Sequence, residues 1–244
     1  MKQNKLIIIG VAMVIVLAMV VIIIQNQTNI NTTGNVPSEN NIINKTNDNV
    51  NIVDDNDYIV AHDQIASLPI ETLSTEERDG LIMMREEEKL AHDVYLTLYE
   101  KWGVNAFSNI AKSELTHTES VGYLLERYNI EDPVKDNTIG AFSNKTFSDL
   151  YTSLVAKGQK SLVSALMVGA TIEDLDIKDL NELSAKVNNQ DILEIYANLT
   201  RGSRNHLRSF SKQLAKQGET YSAQYLSQEE VDNIINSSQE RGNN

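Results

Sequence analysis

Apolar residues return at alternating steps of three and four along most of the chain after about residue 75, the spacing that lines one face of an α-helix. Leu81, Met84, Glu88, Ala91, Tyr95, Leu98 and Trp102 form one such stripe; Phe107, Ile110, Glu114, His117, Val121, Leu124 and Tyr128 form a second. A third, between about Gln159 and Val187, runs through Leu162, Leu166, Gly169, Glu173, Asp176, Leu180, Leu183 and Val187. The fourth, from Gln190 to about Gln217, carries Ile192, Tyr196, Leu199, Ser203, His206, Phe210 and Leu214. The punctuation agrees. Ser74-Thr-Glu-Glu77 has capping-box form, Lys101-Trp-Gly103 is a helix stop, Asn188-Asn189 is a turn and Gly218 ends the last stripe. Between the second and third stripes lie the breakers Asp132-Pro133, Asp136-Asn137 and Gly140, then a short amphipathic helix from Thr146 to Ala156 on Phe147, Leu150 and Leu154. Ser227-Gln-Glu-Glu230 can cap a final short helix. Strand-like alternation is missing from this part of the chain, as are GxGxxG, P-loop, GxSxG, HExxH and EF-hand patterns. The pattern predicts an all-α fold, an antiparallel four-helix bundle over residues 68–220, with a short helix and tail at 221–244.

The beginning of the chain reads differently. Leu6 to Ile24 (LIIIGVAMVIVLAMVVIII) is unbroken apolar sequence preceded by Lys2 and Lys5. At about 1.5 Å per residue it reaches roughly 28 Å, close to the thickness of a bilayer's hydrocarbon layer. It ends in Val-Ile-Ile-Ile-Gln with no Ala-x-Ala-like site, so residues 1–25 are expected to be an uncleaved transmembrane anchor; a secretory signal peptide is the alternative, and its cleavage would leave a secreted protein. Lysines before the run and none just after it place the N-terminus in the cytoplasm and the C-terminal domain outside it. Residues 26–67, rich in Asn, Thr and Asp, bury too little to offset their ordering entropy and read as a flexible, disordered linker. Their sequons at Asn26, Asn31 and Asn44 are of a kind that arises by chance in such tracts.

Composition narrows the chemistry. The chain has no cysteine, which excludes disulfides, thiolate catalysis and iron–sulfur clusters. A formal charge of -13 over 244 residues argues against nucleic acid as a partner and favours a surface that attracts cations.

The stripes share one anomaly: their polar members fall mid-helix. These are Glu88; Glu114 and His117; Glu173 and Asp176; and His206. Each has a plainer reading. Glu88 lies in the charge run Arg85-Glu-Glu-Glu-Lys89, with Glu87 the alternative if the helical phase differs by about 100°. Glu-x-x-His pairs are common, Glu173 and Asp176 suit a helix N-terminus, and His206 has arginines on either side. Taken together they converge on one level of the bundle core. Four carboxylates buried without a counter-ion would repel one another and take up protons. Carboxylate and imidazole donors suit iron or manganese, with zinc also admissible, and a pair of ions bridged by carboxylate would neutralise the cluster.

The segments Arg85-Glu-Glu-Glu-Lys-Leu-Ala-His-Asp-Val-Tyr95, Ser113-Glu-Leu-Thr-His117, Thr171-Ile-Glu-Asp-Leu-Asp-Ile177 and Gly202-Ser-Arg-Asn-His-Leu207 resemble, in order and spacing, the DUF2202 family of ferritin-like proteins over about residues 75 to 218. The resemblance implies a ferritin-like four-helix bundle related to rubrerythrins, whose Glu-x-x-Ala…Tyr on the first helix is similar to Glu88, Ala91 and Tyr95. It implies no particular reaction. One departure stands out: di-iron relatives carry Glu-x-x-His on the second and fourth helices, whereas the fourth helix here offers Ser203-Arg-Asn-His206. Asp176, one turn after Glu173, is placed to supply the missing carboxylate.

The resulting expectation is a membrane-tethered, extracytoplasmic metalloprotein. Glu88, Glu114, His117, Glu173, Asp176 and His206 are the metal ligands, two non-haem irons are the favoured ions, and all but Asp176 also act as catalytic residues of a ferroxidase- or peroxidase-type oxidoreductase. Sequestration of metal without turnover is the alternative. Tyr95, Tyr196, Arg204 and Asn205 are candidates to brace the ligands. Electrons would come from a separate redox partner, and a homodimer is admissible.

Overall fold

The computed structural model describes residues 65–241. The expected anchor, the sequons and the linker up to residue 64 lie outside the described residues. Among the described residues no helix is long and apolar enough to cross a membrane. They form helices and connections only, with no strand.

The first helix, α1 (Thr75–Trp102), starts where its sequence dictates: Ser74 Oγ accepts from Glu77 N at 3.1 Å and Glu77 Oε2 accepts from Ser74 N at 2.8 Å. It stops at Gly103, whose φ of 64° places it in the left-handed region that glycine tolerates. Only Val104 then separates it from α2 (Asn105–Arg127), so the chain folds straight back. Tyr95 meets Phe107 with ring centroids 6.3 Å apart, and Glu88 meets His117, so residue numbers rise on one helix as they fall on the other. A short α3 (Lys145–Gly158), capped by Asn144, buries the expected Phe147, Leu150 and Leu154.

The next helix, α4 (Leu162–Ser184), is shorter at both ends than the span from about Gln159 to Val187 expected from its stripe. Ser161 turns extended and its Oγ accepts from Ser164 N at 3.0 Å, which fixes the start. At the other end Glu77 Oε1 accepts from the amides of Asn188 and Asn189 at 2.9 and 3.1 Å. One side chain thus caps α1 with one oxygen and holds the following turn with the other. A second hairpin results with α5 (Gln190–Lys216), in which Gly169 meets Phe210, Glu173 meets His206 and Asp176 meets Ser203. Ser227 and Glu230 form the expected capping box of α6 (Gln228–Asn236).

The hairpins face one another. Tyr95 on α1 reaches Gly169 and Glu173 on α4, while Gly202 on α5 lies against His117 on α2. Both pairs are antiparallel, so α2 and α4 run in the same direction and the connection between them crosses the length of the molecule. Buried ionic contacts pin it: Lys89 Nζ donates to Asp93 Oδ2 at 2.5 Å and to Thr138 O at 3.1 Å, and Asp93 Oδ2 accepts from Gly140 N at 2.9 Å.

The polar level sits between two apolar layers. One side holds Leu81, Met84, Val121, Leu124, Leu180, Tyr196 and Leu199. The other holds the rings of Tyr95, Phe107 and Phe210, with centroids 5.2 to 6.3 Å apart. Water is therefore excluded from both ends of the level between them. Helix α4 is buried on nearly every face, with Ala165, Val168, Ala170, Ile172, Leu175 and Ile177 inside as well as its stripe.

Candidate metal centre

The mid-helix residues of all four long helices meet. Glu114, 2% exposed, stands in the middle with one oxygen toward each histidine: Oε2 is 2.7 Å from His117 Nδ1 and Oε1 is 2.8 Å from His206 Nδ1. Glu88 Oε2 approaches His117 Nδ1 from α1 at 3.3 Å, and Glu173 Oε2 approaches His206 Nδ1 from α4 at 3.4 Å. The two imidazoles stack with centroids 5.6 Å apart and an interplanar angle of 30°. Two groups of donors follow, Glu88 with Glu114 and His117, and Glu114 with Glu173 and His206; within each, the donor atoms lie within 4.8 Å of one another. Glu114 belongs to both.

Local sequence explains the convergence. The i, i+3 spacing puts Glu114 and His117 one turn apart on the buried face of α2. The His117 ring fits because α5 presents a glycine to it: a Cβ on Gly202 would lie 2.5 Å from His117 Cε1 and 2.6 Å from Nε2. Tyr95 Oη donates to Glu173 Oε1 at 2.5 Å, leaving Oε2 to face His206. Asp176 lies outside both groups of three. Its Oδ2 accepts from Ser203 Oγ, while Oδ1, like Glu88 Oε1, Glu114 Oε1 and the Nδ1 atoms of His117 and His206, makes no hydrogen bond among the described residues. The other candidate braces serve different ends. Tyr196 Oη has no hydrogen bond, and Arg204 and Asn205 hold Glu240 of the C-terminal tail.

The electrostatics are those of a crowded anionic cluster. Burial raises the Glu88 carboxyl to about 8, with the His117 charge opposing and Glu114 adding to it. Burial and Glu114 together lift Glu173 to about 7, against the pull of His206. Burial also acts on Glu114, but the two histidines outweigh it and hold that carboxyl well below the usual range. Conversely, burial disfavours the charged imidazoles, yet Glu114 and Glu173 lift His206 to about 9, and Glu114 and Glu88 lift His117 well above its usual value. Asp176 is pushed well up by burial, then by Glu88 and Glu87.

These groups fit a pair of divalent cations. Buried donor atoms with no hydrogen bond converge from four helices, and they combine hard carboxylate oxygen with borderline imidazole nitrogen. Counting Asp176, four carboxylates carry the charge that two divalent ions cancel.

Three features escape the apolar stripes. Glu87, the alternative ligand, is buried but belongs to neither donor group; burial and the charge of Asp179 push its carboxyl well up. Asp179 itself is 2% exposed, and the repeat Glu173-x-x-Asp176-x-x-Asp179 was its legible signal. Gly202 left only the absence of a side chain beside Ser203.

Comparison with known proteins places the chain. The family described as an uncharacterized protein domain, DUF2202, matches residues 77–238. The uncharacterized protein MJ0754 of Methanocaldococcus jannaschii is 59% identical over 180 residues, which make up 74% of this chain and 97% of that protein. The crystal structure of hypothetical protein MJ0754 from Methanococcus jannaschii matches with a TM-score of 0.70 at 59% identity, covering 71% of this chain and 99% of that chain.

Proposed function

The chain belongs to the DUF2202 family, and within it we propose that this protein is a ferritin-like four-helix-bundle metalloprotein that holds two non-haem iron ions and oxidises Fe(II) or reduces peroxide or dioxygen. The observation that carries the reading is the shared position of Glu114 between two histidine–carboxylate groups in a water-excluding layer. The topology supports it, since α2 and α4 run the same way and the connection between them crosses the molecule, as the one long crossover of ferritin-like bundles does. Glu88 and His117 would hold one ion, Glu173 and His206 the other, with Glu114 between them and Asp176 alongside. Two such ions supply paired one-electron steps to an oxidant that takes two electrons.

The remaining work falls to the chain's own residues. Tyr95 keeps its proton on Glu173 Oε1 and thereby fixes which oxygen faces the centre. Burial and the Glu173 charge raise the Tyr95 hydroxyl well above its usual range, so it stays a donor. The apolar layers on both sides keep bulk water from the donors. The run Leu6–Ile24, preceded by Lys2 and Lys5, supports a membrane tether with this domain outside the cytoplasm.

The test is to load the full chain in detergent with Fe(II) under argon, count bound ions, and then mix with oxygen or peroxide in a stopped-flow absorbance experiment. Two ions per chain and rapid oxidation are expected; a chain that holds no iron overturns the reading. Ser203, where the di-iron pattern that this chain resembles has a second glutamate, favours a second reading in which the ions are sequestered without turnover. In that case the metal count is the same but no rapid oxidation follows.

A further inference from the structure

On the outer side of the seam between α1 and α4 lies a second set of acids that the centre does not use. The register of the two helices fixes its position. A Cβ on Gly80 would meet Leu183 Cδ2 at 3.0 Å, and Tyr95 Oη lies 3.3 Å from Gly169 O, so this antiparallel pair brings Glu87 level with Asp176 and within one turn of Asp179, whose charge acts on it. Along α4, Glu173, Asp176 and Asp179 stand at steps of three, a ladder of acids that winds from the centre out to the seam.

Asp179 does not look like an acid with a structural task. Asp174 on the same helix does: it is fully buried and accepts from Tyr221 Oη and from the amides of Gln224, Tyr225 and Leu226, tying the segment after α5 to α4. Asp179 is 2% exposed, and neither of its oxygens takes a hydrogen bond. The hydroxyl of Tyr225 and Asp176 Oδ1 are likewise buried with no hydrogen bond among the described residues; Tyr225 is tied to α4 through its amide on Asp174 and lies near enough to feel the charges of Asp179 and Glu87. The nearest cation, Lys178 Nζ, is 3.7 Å from Asp179 Oδ1 and prefers Glu182 Oε1, nearer the surface, at 2.7 Å. Apolar layers cover both ends, and on the α2–α5 side the backbone at Gly202 presses against the His117 ring.

We infer that Glu87 and Asp179, with the Tyr225 hydroxyl, form an outer site for a hard divalent cation on the α1–α4 seam, and that cations reach the inner centre from it by way of Asp176. This rests on the dinuclear reading of the inner centre. The outer donors are all oxygen with no imidazole, so they hold a transition-metal ion more loosely than the inner set and release it inward. Lys178, already held by Glu182, is the cation the incoming ion displaces from beside Asp179.

Manganese(II) is the probe, because its paramagnetic resonance in solution disappears on binding. It is titrated into the full chain in detergent as wild type, Glu114→Ala and Glu87→Gln/Asp179→Asn, and the filling rate is followed by rapid mixing. Wild type should take up an inner pair and one weaker ion. Glu114→Ala should keep the weaker ion alone. The seam variant should keep the inner pair, lose the weaker ion and fill about tenfold more slowly, the scale of electrostatic steering by a charged cleft. Asp179→Asn alone removes a charge with no hydrogen bond while keeping its shape, and gives the same readouts if the double variant does not fold. Should the seam variant match wild type in number and rate, the outer site is overturned and the inner centre stands. A Glu114→Ala chain that binds nothing also overturns it, and a wild type that binds no manganese overturns both.

Discussion

The two helix hairpins supply the centre by different means. In the α1–α2 hairpin, Glu88 has no hydroxyl to hold it and faces His117 and the like-charged Glu114. In the α4–α5 hairpin both acids are braced by hydroxyls, Glu173 by Tyr95 reaching across from α1 and Asp176 by Ser203. Burial lifts both carboxyls; His117 alone pulls Glu88 back down, whereas His206 and the Tyr95 hydroxyl both do so for Glu173. The lesson concerns Ser203. A serine is a poor metal ligand, yet it is a good orienter, and here it donates to the Asp176 carboxylate of α4 beside the two donor groups. One half of the centre is pre-organised by neutral hydrogen bonds, while the other depends on its histidine.

The residue common to both halves tests the comparison most severely. Glu114→Ala removes a donor from each group, so metal analysis should find both inner ions gone, not one. If a single ion is lost, the halves are independent and Glu114 is not shared. The histidines come next. His117→Ala leaves Glu88 with only the like-charged Glu114 beside it, whereas His206→Ala leaves Glu173 on Tyr95. Each should lose its own ion, and the first should also weaken the ion that remains more than the second does. Equal effects in a competition titration would show that the bracing does not matter.

Much of this was written along the chain, for an identifiable reason. The helices and their caps follow from local rules, and the buried faces of α1, α2 and α5 follow from period. Hence Glu88, Glu114, His117 and His206 announce themselves as polar residues where apolar ones are due. Helix α4 was harder to read. Covered by α1, α3, α5 and the segment around Tyr221, it is buried on nearly every side, and periodicity cannot distinguish an inward acid from an acid under a loop. Asp174 was invisible for that reason, and Asp179 showed only as the third acid of a repeat at steps of three. Its ends too were set by Ser161 and by Glu77, a residue more than a hundred positions away, and not by its own stripe. Gly202 shows the same limit, since its role appears only once α2 is beside it.

That glycine gives the next test. In Gly202→Ala the new methyl meets the His117 ring at 2.5 to 2.6 Å, well inside contact distance. Overpacking of this kind costs about 1 to 3 kcal/mol, read as a lower melting temperature. The displaced ring should weaken the ion on the Glu88 side and spare the one on the Glu173 side; loss of both equally would erase the distinction between the halves. Ser203→Ala works in the opposite sense. It strands Asp176 without its one hydrogen bond, at a cost of about 1 to 3 kcal/mol in the metal-free protein, and weakens only the α4–α5 side.

The smallest effect concerns a brace behind α5. Arg204 and Arg208 both reach Glu240, at 2.5 and 2.7 Å, and Asn205 Nδ2 donates to Glu240 O at 2.9 Å, so the C-terminal tail lies across the outer face of the helix that carries His206. The hydrogen bond from Arg204, with Arg208 behind it, holds the Glu240 carboxyl down at about 2 against an ordinary 4.5. A carboxyl lowered on folding stabilises the fold fully above its unfolded value and loses that contribution as pH falls through the folded one. The tail's grip should therefore weaken from about pH 4.5 downward and be gone near pH 2. The pair is partly exposed and screened, so the contribution is well under ~1 kcal/mol and will not move the global melting temperature. Amide protection factors at residues 237–241, corrected for the intrinsic exchange rate at each pH, will report it, and Glu240→Gln should show at pH 7 the low protection that wild type shows near pH 2. If protection there is flat across that range, the tail is held by its backbone contacts alone, and α5 owes its position to the interior hydroxyls.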